Sequence, residues 1–144
     1  MNKMIAAGFL TVAFAAAGAC ETTRVDRGEL SDEAKARLAE FEKTGDRRNC
    51  LSLTQIDQIK PLSERVFLVR VGLNDYYLNE TNGRCGGAGR ITSRLQYRIN
   101  GAPQLCRNEI VRVVDNTTGQ TLGSCGIGDF ERLVEKPDED VDES

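Results

Sequence analysis

Hydrophobic and polar residues alternate along much of the chain after residue 50, as they do in strands that bury one face. The clearest case is the segment 91–99, which we predict to be a strand. One face of this strand carries Ile91, Ser93, Leu95, Tyr97 and Ile99. The other face is polar and carries Thr92, Arg94, Gln96 and Arg98. One buried side and one solvated side are typical of an antiparallel sheet.

Shorter apolar segments bounded by turn residues predict the other strands. They cover residues 66–72, 75–79, 109–115, 120–125 and 130–134. Hairpin turns are predicted at Leu73-Asn74 and at Asn116-Thr117-Thr118-Gly119. The apolar positions farther upstream predict either a leading strand or a short helix, and they are Leu51, Leu53 and Ile56. Five to six short antiparallel strands favour a mainly-β fold built as a small open barrel or a rolled sheet.

Residues 31–44 follow a helical pattern instead. The apolar positions recur at the spacing of one helix face and are Ala34, Leu38 and Phe41. Ser31 is a suitable N-cap, and Gly45 is a suitable terminator. The sequence therefore predicts one short helix in front of the β domain. Because its apolar stripe is thin, we expect the helix to act as a spacer, with partner recognition as the alternative.

The composition fits one globular domain with attachments, since 40% of the 144 residues are hydrophobic and 28% are charged. The chain contains no His and no Trp. This excludes histidine acid–base chemistry, serine triads and most zinc sites. The glycine-rich segment 83–90 lacks the Gly-Lys-Ser/Thr of a phosphate-binding loop. We therefore expect no metal and no cofactor.

The first 19 residues have the features of a secretory signal peptide. Lys3 precedes an apolar stretch of about 14 residues, which is shorter than the roughly 20 needed to span a bilayer. Ala17-Gly18-Ala19 fits ordinary signal cleavage, and before Cys20 it also resembles a bacterial lipobox with Ala where Leu is usual. We predict that a lipid on Cys20 anchors the protein at the periplasmic side of a bacterial envelope membrane. The alternative is a soluble periplasmic or secreted protein.

The remaining chain divides into three predicted parts. Residues 20–48 form a tether that includes the helix, residues 49–134 form the β domain, and residues 135–144 form a tail. The tail carries six acidic residues against one Lys, and we predict that it is disordered and solvated. A calcium loop is not expected there, because the spacing and glycine of an EF-hand are missing.

The chain has five cysteines, an odd number for an exported protein. If Cys20 carries a lipid, four cysteines are left for two disulfides, and they are Cys50, Cys85, Cys106 and Cys125. These four contain no C-x-x-C spacing, so neither a thioredoxin-like redox centre nor a zinc site with paired ligands is expected.

Four cysteines allow three connectivities, and the hairpin at residues 116–119 bears on the choice. It places Cys125 opposite Ile110, which leaves Cys106 roughly 13 Å away, beyond the Cα distance of about 7 Å that a disulfide tolerates. We therefore expect Cys85–Cys106, which staples the ends of the central strand. The second expected pair is Cys50–Cys125, which ties the start of the domain to its end.

The inner cysteines stand within short motifs of defined order. These are Arg48-Asn49-Cys50-Leu51, Tyr76-Tyr77-Leu78-Asn79, Cys85-Gly86-Gly87, Leu105-Cys106, Ile110-Val111-Arg112-Val113 and Cys125-Gly126-Ile127-Gly128-Asp129-Phe130. The set resembles a family of small exported proteobacterial (lipo)proteins of unknown function and covers residues 48–134. Family members often carry Pro-Gly-Leu after the second cysteine, where this chain has Gly86-Gly87-Ala88. The resemblance implies export and a disulfide-braced fold, and it implies no activity.

Arginine supplies the best candidate binding chemistry. Between residues 84 and 112 there are six Arg and a single acid, Glu109. Arg94 and Arg98 share one face of the predicted strand, and Arg70 or Arg112 is expected to join them from a neighbouring strand. Such a face suits phosphate or carboxylate groups, as in lipid headgroups, acidic glycans or a protein partner. Nucleic acid is not expected, because few aromatic residues are present to stack on bases.

The alternative function is a carboxylate-dependent hydrolase of envelope polymers. The available acids are Asp57, Glu64, Asp75, Glu80, Glu109, Asp115 and Asp129. Their spacing does not pair any two of them as a glycosidase-type dyad would be paired. The sequence therefore favours a non-catalytic binding or structural module, with no catalytic residues.

Overall fold

A computed structural model describes residues 28–98 and 101–137 and shows one helix followed by ten strands. The helix, α1, spans Asp32–Ala39. The strands are β1 (Phe41–Arg48), β2 (Cys50–Ser52), β3 (Ile56–Pro61), β4 (Val66–Val71), β5 (Asp75–Glu80), β6 (Ser93–Tyr97), β7 (Gln104–Cys106), β8 (Ile110–Asp115), β9 (Thr121–Gly126) and β10 (Phe130–Glu135). The expected mainly-β fold with one short helix is confirmed.

The strands pair into three antiparallel sheets within the described residues. The largest has the order β1-β10-β5-β4-β3, a second has the order β6-β8-β9, and β2 pairs with β7. A single bridge between Asn82 and Gly126 connects the end of β5 to the end of β9. None of these sheets closes into a barrel. The strand count exceeds the expected five to six because β1, β2, β3 and β7 are short or polar and carry little periodic signal.

Apolar residues cover both faces of the five-stranded sheet where β4 and β5 cross its centre. On one face Phe67, Val69 and Tyr77 join the main core with side chains from the other two sheets. On the opposite face a smaller cluster lies beside α1 and contains Phe41, Leu68, Leu78 and Leu133, with Leu38 of the helix packed against it. Burial on both faces explains why β4 is apolar at consecutive positions from Val66 to Val69 rather than at alternate ones.

The predicted helix 31–44 is correct only in its first half. Ser31 caps α1 as expected, since its hydroxyl accepts a hydrogen bond from the Ala34 N–H at 3.1 Å. The helix ends at Ala39, and Phe41 begins β1, which pairs with β10. Gly45 does not terminate a helix; it lies in β1 at a φ of 78°, within an irregularity of the β1–β10 register. Pairing with a distant strand overrides the local helical pattern. β1 also extends the sheeted region upstream of the expected start at residue 49.

The two predicted hairpins are present. β4 and β5 flank the turn at Leu73-Asn74, and β8 and β9 flank the loop 116–119. The leading segment, which was predicted as one strand or a short helix, contains two strands, β2 and β3. The predicted strand 91–99 is shorter than expected: β6 spans Ser93–Tyr97, and Ile91 lies in a turn with its side chain fully exposed at 101%. Ile99 lies outside the described residues.

The predicted disulfide pairing is wrong. The bonds are Cys50–Cys106 and Cys85–Cys125, rather than Cys85–Cys106 and Cys50–Cys125. Cys50 and Cys106 stand directly opposite each other in the β2–β7 pair, whose two strands have three residues each. Strands this short leave no periodic signal, so their pairing is not readable from the sequence. The exclusion of a Cys106–Cys125 bond is confirmed.

The register of the β8–β9 hairpin also differs by one residue from the expected one. Cys125 stands opposite Val111 rather than Ile110, because the register shifts between Val113 and Val114. The turn itself is closed by Asp115, whose carboxylate accepts hydrogen bonds from the N–H groups of Thr117 and Thr118, each at 2.8 Å. These N–H donors, Thr118 foremost, lower the pKa of the Asp115 carboxyl.

Several predictions concern residues beyond the described ranges. The signal peptide 1–19 and Cys20 fall within residues 1–27, and the acidic run 138–144 follows Pro137. Of the predicted tail 135–144, the structure describes Glu135 as the last residue of β10, followed by Lys136 and Pro137. Within residues 28–98 and 101–137, no helix is able to cross a bilayer.

Candidate anion-binding site

Three of the four predicted arginines lie on β6 and β8 or directly beside them. Gln96 pairs with Arg112 across the two strands, and Arg94 shares the Gln96 face because alternate residues of a strand point the same way. Arg98 follows β6 directly and lines one groove with Arg112. All three arginines are exposed. We call this set, Arg94, Arg98 and Arg112, the arginine face.

Arg70 does not belong to the arginine face. It lies in β4 of the five-stranded sheet, where it stands opposite Tyr76 of β5. Its guanidinium forms an ion pair with Asp57, and this partner raises the pKa of Arg70 above its ordinary value. Of the two residues expected to join Arg94 and Arg98, only Arg112 lies on a strand that pairs with β6.

The three arginines of the arginine face have no carboxylate partner among the described residues. The described residues form nine salt bridges, and none involves Arg94, Arg98 or Arg112. The arginines that do pair with a carboxylate are Arg37, Arg47, Arg70, Arg84, Arg107 and Arg132. Arg94 has only a neutral partner, since its guanidinium donates to the Asn116 side-chain oxygen at 2.8 Å. Within the described residues, the guanidinium groups of this face are therefore not neutralised by a carboxylate.

Two grooves flank the arginine face. The first, of about 380 Å³, is lined by Arg98 and Arg112 together with Tyr97 and Glu109. The Glu109 carboxylate is already engaged, because it accepts a hydrogen bond from the Cys106 N–H at 2.7 Å. The second groove, of about 510 Å³, runs between β3 and β6 and includes Arg94. We call this second cavity the open groove.

The other cations of the open groove are Lys60, which the sequence does not single out, and Arg90, which belongs to the arginine-rich segment 84–112 but is not assigned there to a site. Lys60 comes from β3 and Arg90 from the turn before β6, and only the tertiary fold brings them to one cavity. Tyr97 was also expected on the buried face of its strand, yet it is 38% exposed and lines both grooves. Its place at the end of an edge strand explains the exposure, and no periodic signal marks that place.

The carboxylates considered for hydrolysis are engaged in the structure. Asp57, Glu64, Asp75, Glu80 and Asp129 form ion pairs with Arg or Lys, whereas Glu109 and Asp115 accept hydrogen bonds from backbone N–H groups. Asp57 and Asp75 line one groove of about 610 Å³, and each is paired there or nearby with an arginine. Each of the seven carboxylates therefore already has a partner within the fold.

Metal-ligating side chains do not cluster in the described parts of the chain, where no three of the Cys, Asp and Glu residues converge on one point. The comparisons with known proteins give no further guide to a ligand. No protein-family model, no curated protein and no solved structure matches this chain. The arginine face is therefore the feature of the described residues with the clearest binding chemistry.

Proposed function

We propose that this protein is a non-catalytic binding module of the cell envelope, and that its arginine face binds an anionic ligand. The observation that carries this proposal is the set of three exposed arginines, on β6 and β8 or directly after β6, that lack a carboxylate partner among the described residues. Guanidinium groups form paired, charge-assisted hydrogen bonds with phosphate and carboxylate oxygens. Bound anionic groups would also relieve the repulsion between neighbouring arginines.

The alternative, a hydrolase acting through two carboxylates, receives less support. Each of its candidate acids has a cation or a backbone N–H as a partner. A hydrolytic dyad needs one carboxyl that keeps its proton near neutral pH, and it needs room for a water or a sugar ring between the two acids. Anion binding, in contrast, requires only exposed guanidinium groups without a carboxylate partner.

Isothermal titration calorimetry with inorganic tripolyphosphate at low salt tests whether the arginine face binds anions. We expect the double variant Arg98→Gln/Arg112→Gln to bind at least about tenfold more weakly, because two charge-assisted contacts are lost. The control is Arg47→Gln/Arg65→Gln, which removes the same net charge from exposed positions outside the arginine face. A face-specific site leaves the control near the wild-type affinity.

Two results would contradict the proposed binding. One is an absence of measurable binding by the wild-type chain at low salt. The other is an equal loss of affinity in both double variants, which would mean that the anion responds to net charge alone. Added salt is expected to weaken true binding at this exposed site, because mobile ions screen the charges over about 10 Å at 0.1 M.

The envelope location of the module is argued from the sequence of residues 1–20. We propose that a lipid on Cys20 holds the mature chain at the membrane. Mass spectrometry of the mature N-terminus is expected to show an acylated Cys20, and Cys20→Ala is expected to move the protein from the membrane fraction to the soluble fraction. An unmodified N-terminus at Cys20 or Glu21 would contradict the anchor and leave the arginine face unaffected.

A further inference from the structure

The open groove lies between two sheet edges, because β3 ends the five-stranded sheet and β6 ends the three-stranded sheet. The Asn116 N–H donates to the Thr92 carbonyl at 2.7 Å, which fixes the alternation of hydrogen bonds between β6 and β8. The backbone groups of Arg94 and Gln96 therefore point toward β8. Those of Leu95 and Tyr97 point away from β8, toward the free edge.

The β3 edge is less suited to pairing than the β6 edge. Pro61 has no N–H, and the β3 register is irregular between Ile56 and Gln58. Proline, bulges and lysines are the usual devices that keep an edge strand from pairing, and β3 also carries Lys60. β6 has none of these devices. An additional strand would thus pair with β6 and lie across the groove toward β3.

The lining of the open groove defines the chemistry of such a strand. Ile59 and Leu95 are half-buried and pack against the main core, so one wall of the groove is apolar. The charged residues of the lining are Asp57, Lys60, Arg90 and Arg94. Asp57 is neutralised by Arg70. Three cations thus remain around an apolar wall, without a carboxylate partner among the described residues.

We propose that the β6 edge accepts an extended segment of a partner protein in which acidic and apolar side chains alternate. The proposal rests on the proposed function and specifies its ligand. The main chain of the segment pairs with Leu95 and Tyr97, its apolar side chains face the groove, and its acidic side chains meet the arginine face. A second copy of this chain is a poorer occupant. Antiparallel pairing of two β6 strands would bring arginines of like charge together across the interface.

Binding of synthetic peptides to the mature chain tests the proposal. The probe is a peptide of about ten residues that alternates Asp and Val, long enough to cover an edge strand. Two matched peptides replace Asp by Lys, or methylate the backbone nitrogens that would pair with β6. We expect each matched peptide to bind at least tenfold more weakly. Amide hydrogen exchange at Leu95 and Tyr97 is expected to slow at least tenfold when the Asp–Val peptide is bound.

A pair of protein variants gives an independent measurement. Tyr97→Pro removes the outward N–H donor without removing a β6–β8 hydrogen bond, whereas Tyr97→Val keeps the donor and removes the same ring. We expect the Pro variant to bind the Asp–Val peptide at least tenfold more weakly than the Val variant. Both variants lack the tyrosine ring that lines the groove of Arg98 and Arg112, so we expect them to bind tripolyphosphate with the same affinity as each other. If the Pro variant fails to fold, the methylated peptide decides the question.

The outcomes separate this inference from the proposed function. Equal binding of the methylated and unmethylated peptides would overturn strand pairing. If the chain still binds tripolyphosphate in that case, the proposed anion binding by the arginine face stands. If the wild-type chain does not bind tripolyphosphate, the proposed function itself is contradicted. The Leu95 amide could also be protected from hydrogen exchange without any peptide. If truncation after Pro137 removes that protection, the β6 edge is occupied by the chain's own acidic residues 138–144. Protection that depends on protein concentration would assign it to a second copy, and either assignment overturns the partner.

Discussion

Replacement of Gly128 by alanine is expected to lower the free energy of unfolding by about 3 kcal/mol. A Cβ at this position would lie 1.9 Å from the Glu80 carbonyl oxygen and 3.1 Å from its carbonyl carbon. Both atoms belong to the backbone, so no side-chain rotation relieves the clash. The chain around Gly128 has to move away from the end of β5.

That movement would also break buried hydrogen bonds. The Asn79 side chain is fully buried, accepts a bond from the Gly128 N–H at 3.1 Å and donates one to the Gly128 carbonyl at 2.9 Å. A buried polar group left without its partner costs about 1–3 kcal/mol, and overpacking adds a comparable amount. The steric and polar effects therefore act in the same direction.

Gly126→Ala is the matched control for this experiment. Gly126 ends β9, only two residues before Gly128, and a Cβ there would lie 3.4 Å from its nearest neighbour, the Asn82 Cβ. We expect a loss below about 1 kcal/mol for this variant. Urea unfolding monitored by circular dichroism measures both. Equal midpoints for the two variants would contradict the clash at Glu80.

The glycine pair belongs to the closing Cys-Gly-x-Gly-x-Phe segment, and the structure supplies a physical reason for its residues. Cys125 forms a disulfide with Cys85, Gly126 bridges to Asn82, and Phe130 is fully buried in the main core. The sequence identifies this segment as a motif. It does not reveal which neighbour each glycine approaches, because Glu80 and Asn82 lie at and just after the end of β5, roughly 45 residues upstream.

Local features of the fold were predictable, and nonlocal ones were not. The β4–β5 and β8–β9 hairpins follow from turn residues between apolar strands, so their signal lies within one short window. After Phe41, β1 carries only polar residues and one Gly, and its pairing with β10 joins segments roughly 90 residues apart. Its pattern was assigned in part to a helix for that reason.

The candidate site divides in the same way. Alternation along one strand predicts that Arg94 and Arg98 share a polar face; in the structure Arg94 lies on β6, whereas Arg98 follows its last residue. Whether Arg70 or Arg112 joined them depended on sheet order, which alternation does not encode. Arg70 does not join the arginine face, because it lies in another sheet and forms an ion pair with Asp57. The open groove was not predictable, since it arises where two sheet edges fail to meet.

Removal of the Cys85–Cys125 disulfide is expected to destabilise the protein more than removal of Cys50–Cys106. The bonds join residues 40 and 56 positions apart, and in the chain-entropy model each contributes about 4 kcal/mol. The longer loop favours Cys50–Cys106 by only about 0.3 kcal/mol. The burial of the cysteines determines which loss is larger. Cys85 is 0% exposed and Cys125 is 6% exposed, so their replacement by alanine also leaves a cavity in the core. This cavity costs about 1 kcal/mol more.

The comparison uses Cys85→Ala/Cys125→Ala and Cys50→Ala/Cys106→Ala, each of which keeps the other disulfide intact. Urea unfolding under non-oxidising, non-reducing conditions gives the two losses, and non-reducing peptide mapping verifies the remaining bond in each variant. We expect the first variant to have the lower midpoint, because its loss adds core packing to chain entropy. A lower midpoint for the second variant, or a mapped Cys85–Cys106 peptide in the wild-type chain, would contradict the assigned pairing or the place of Cys85 in the core.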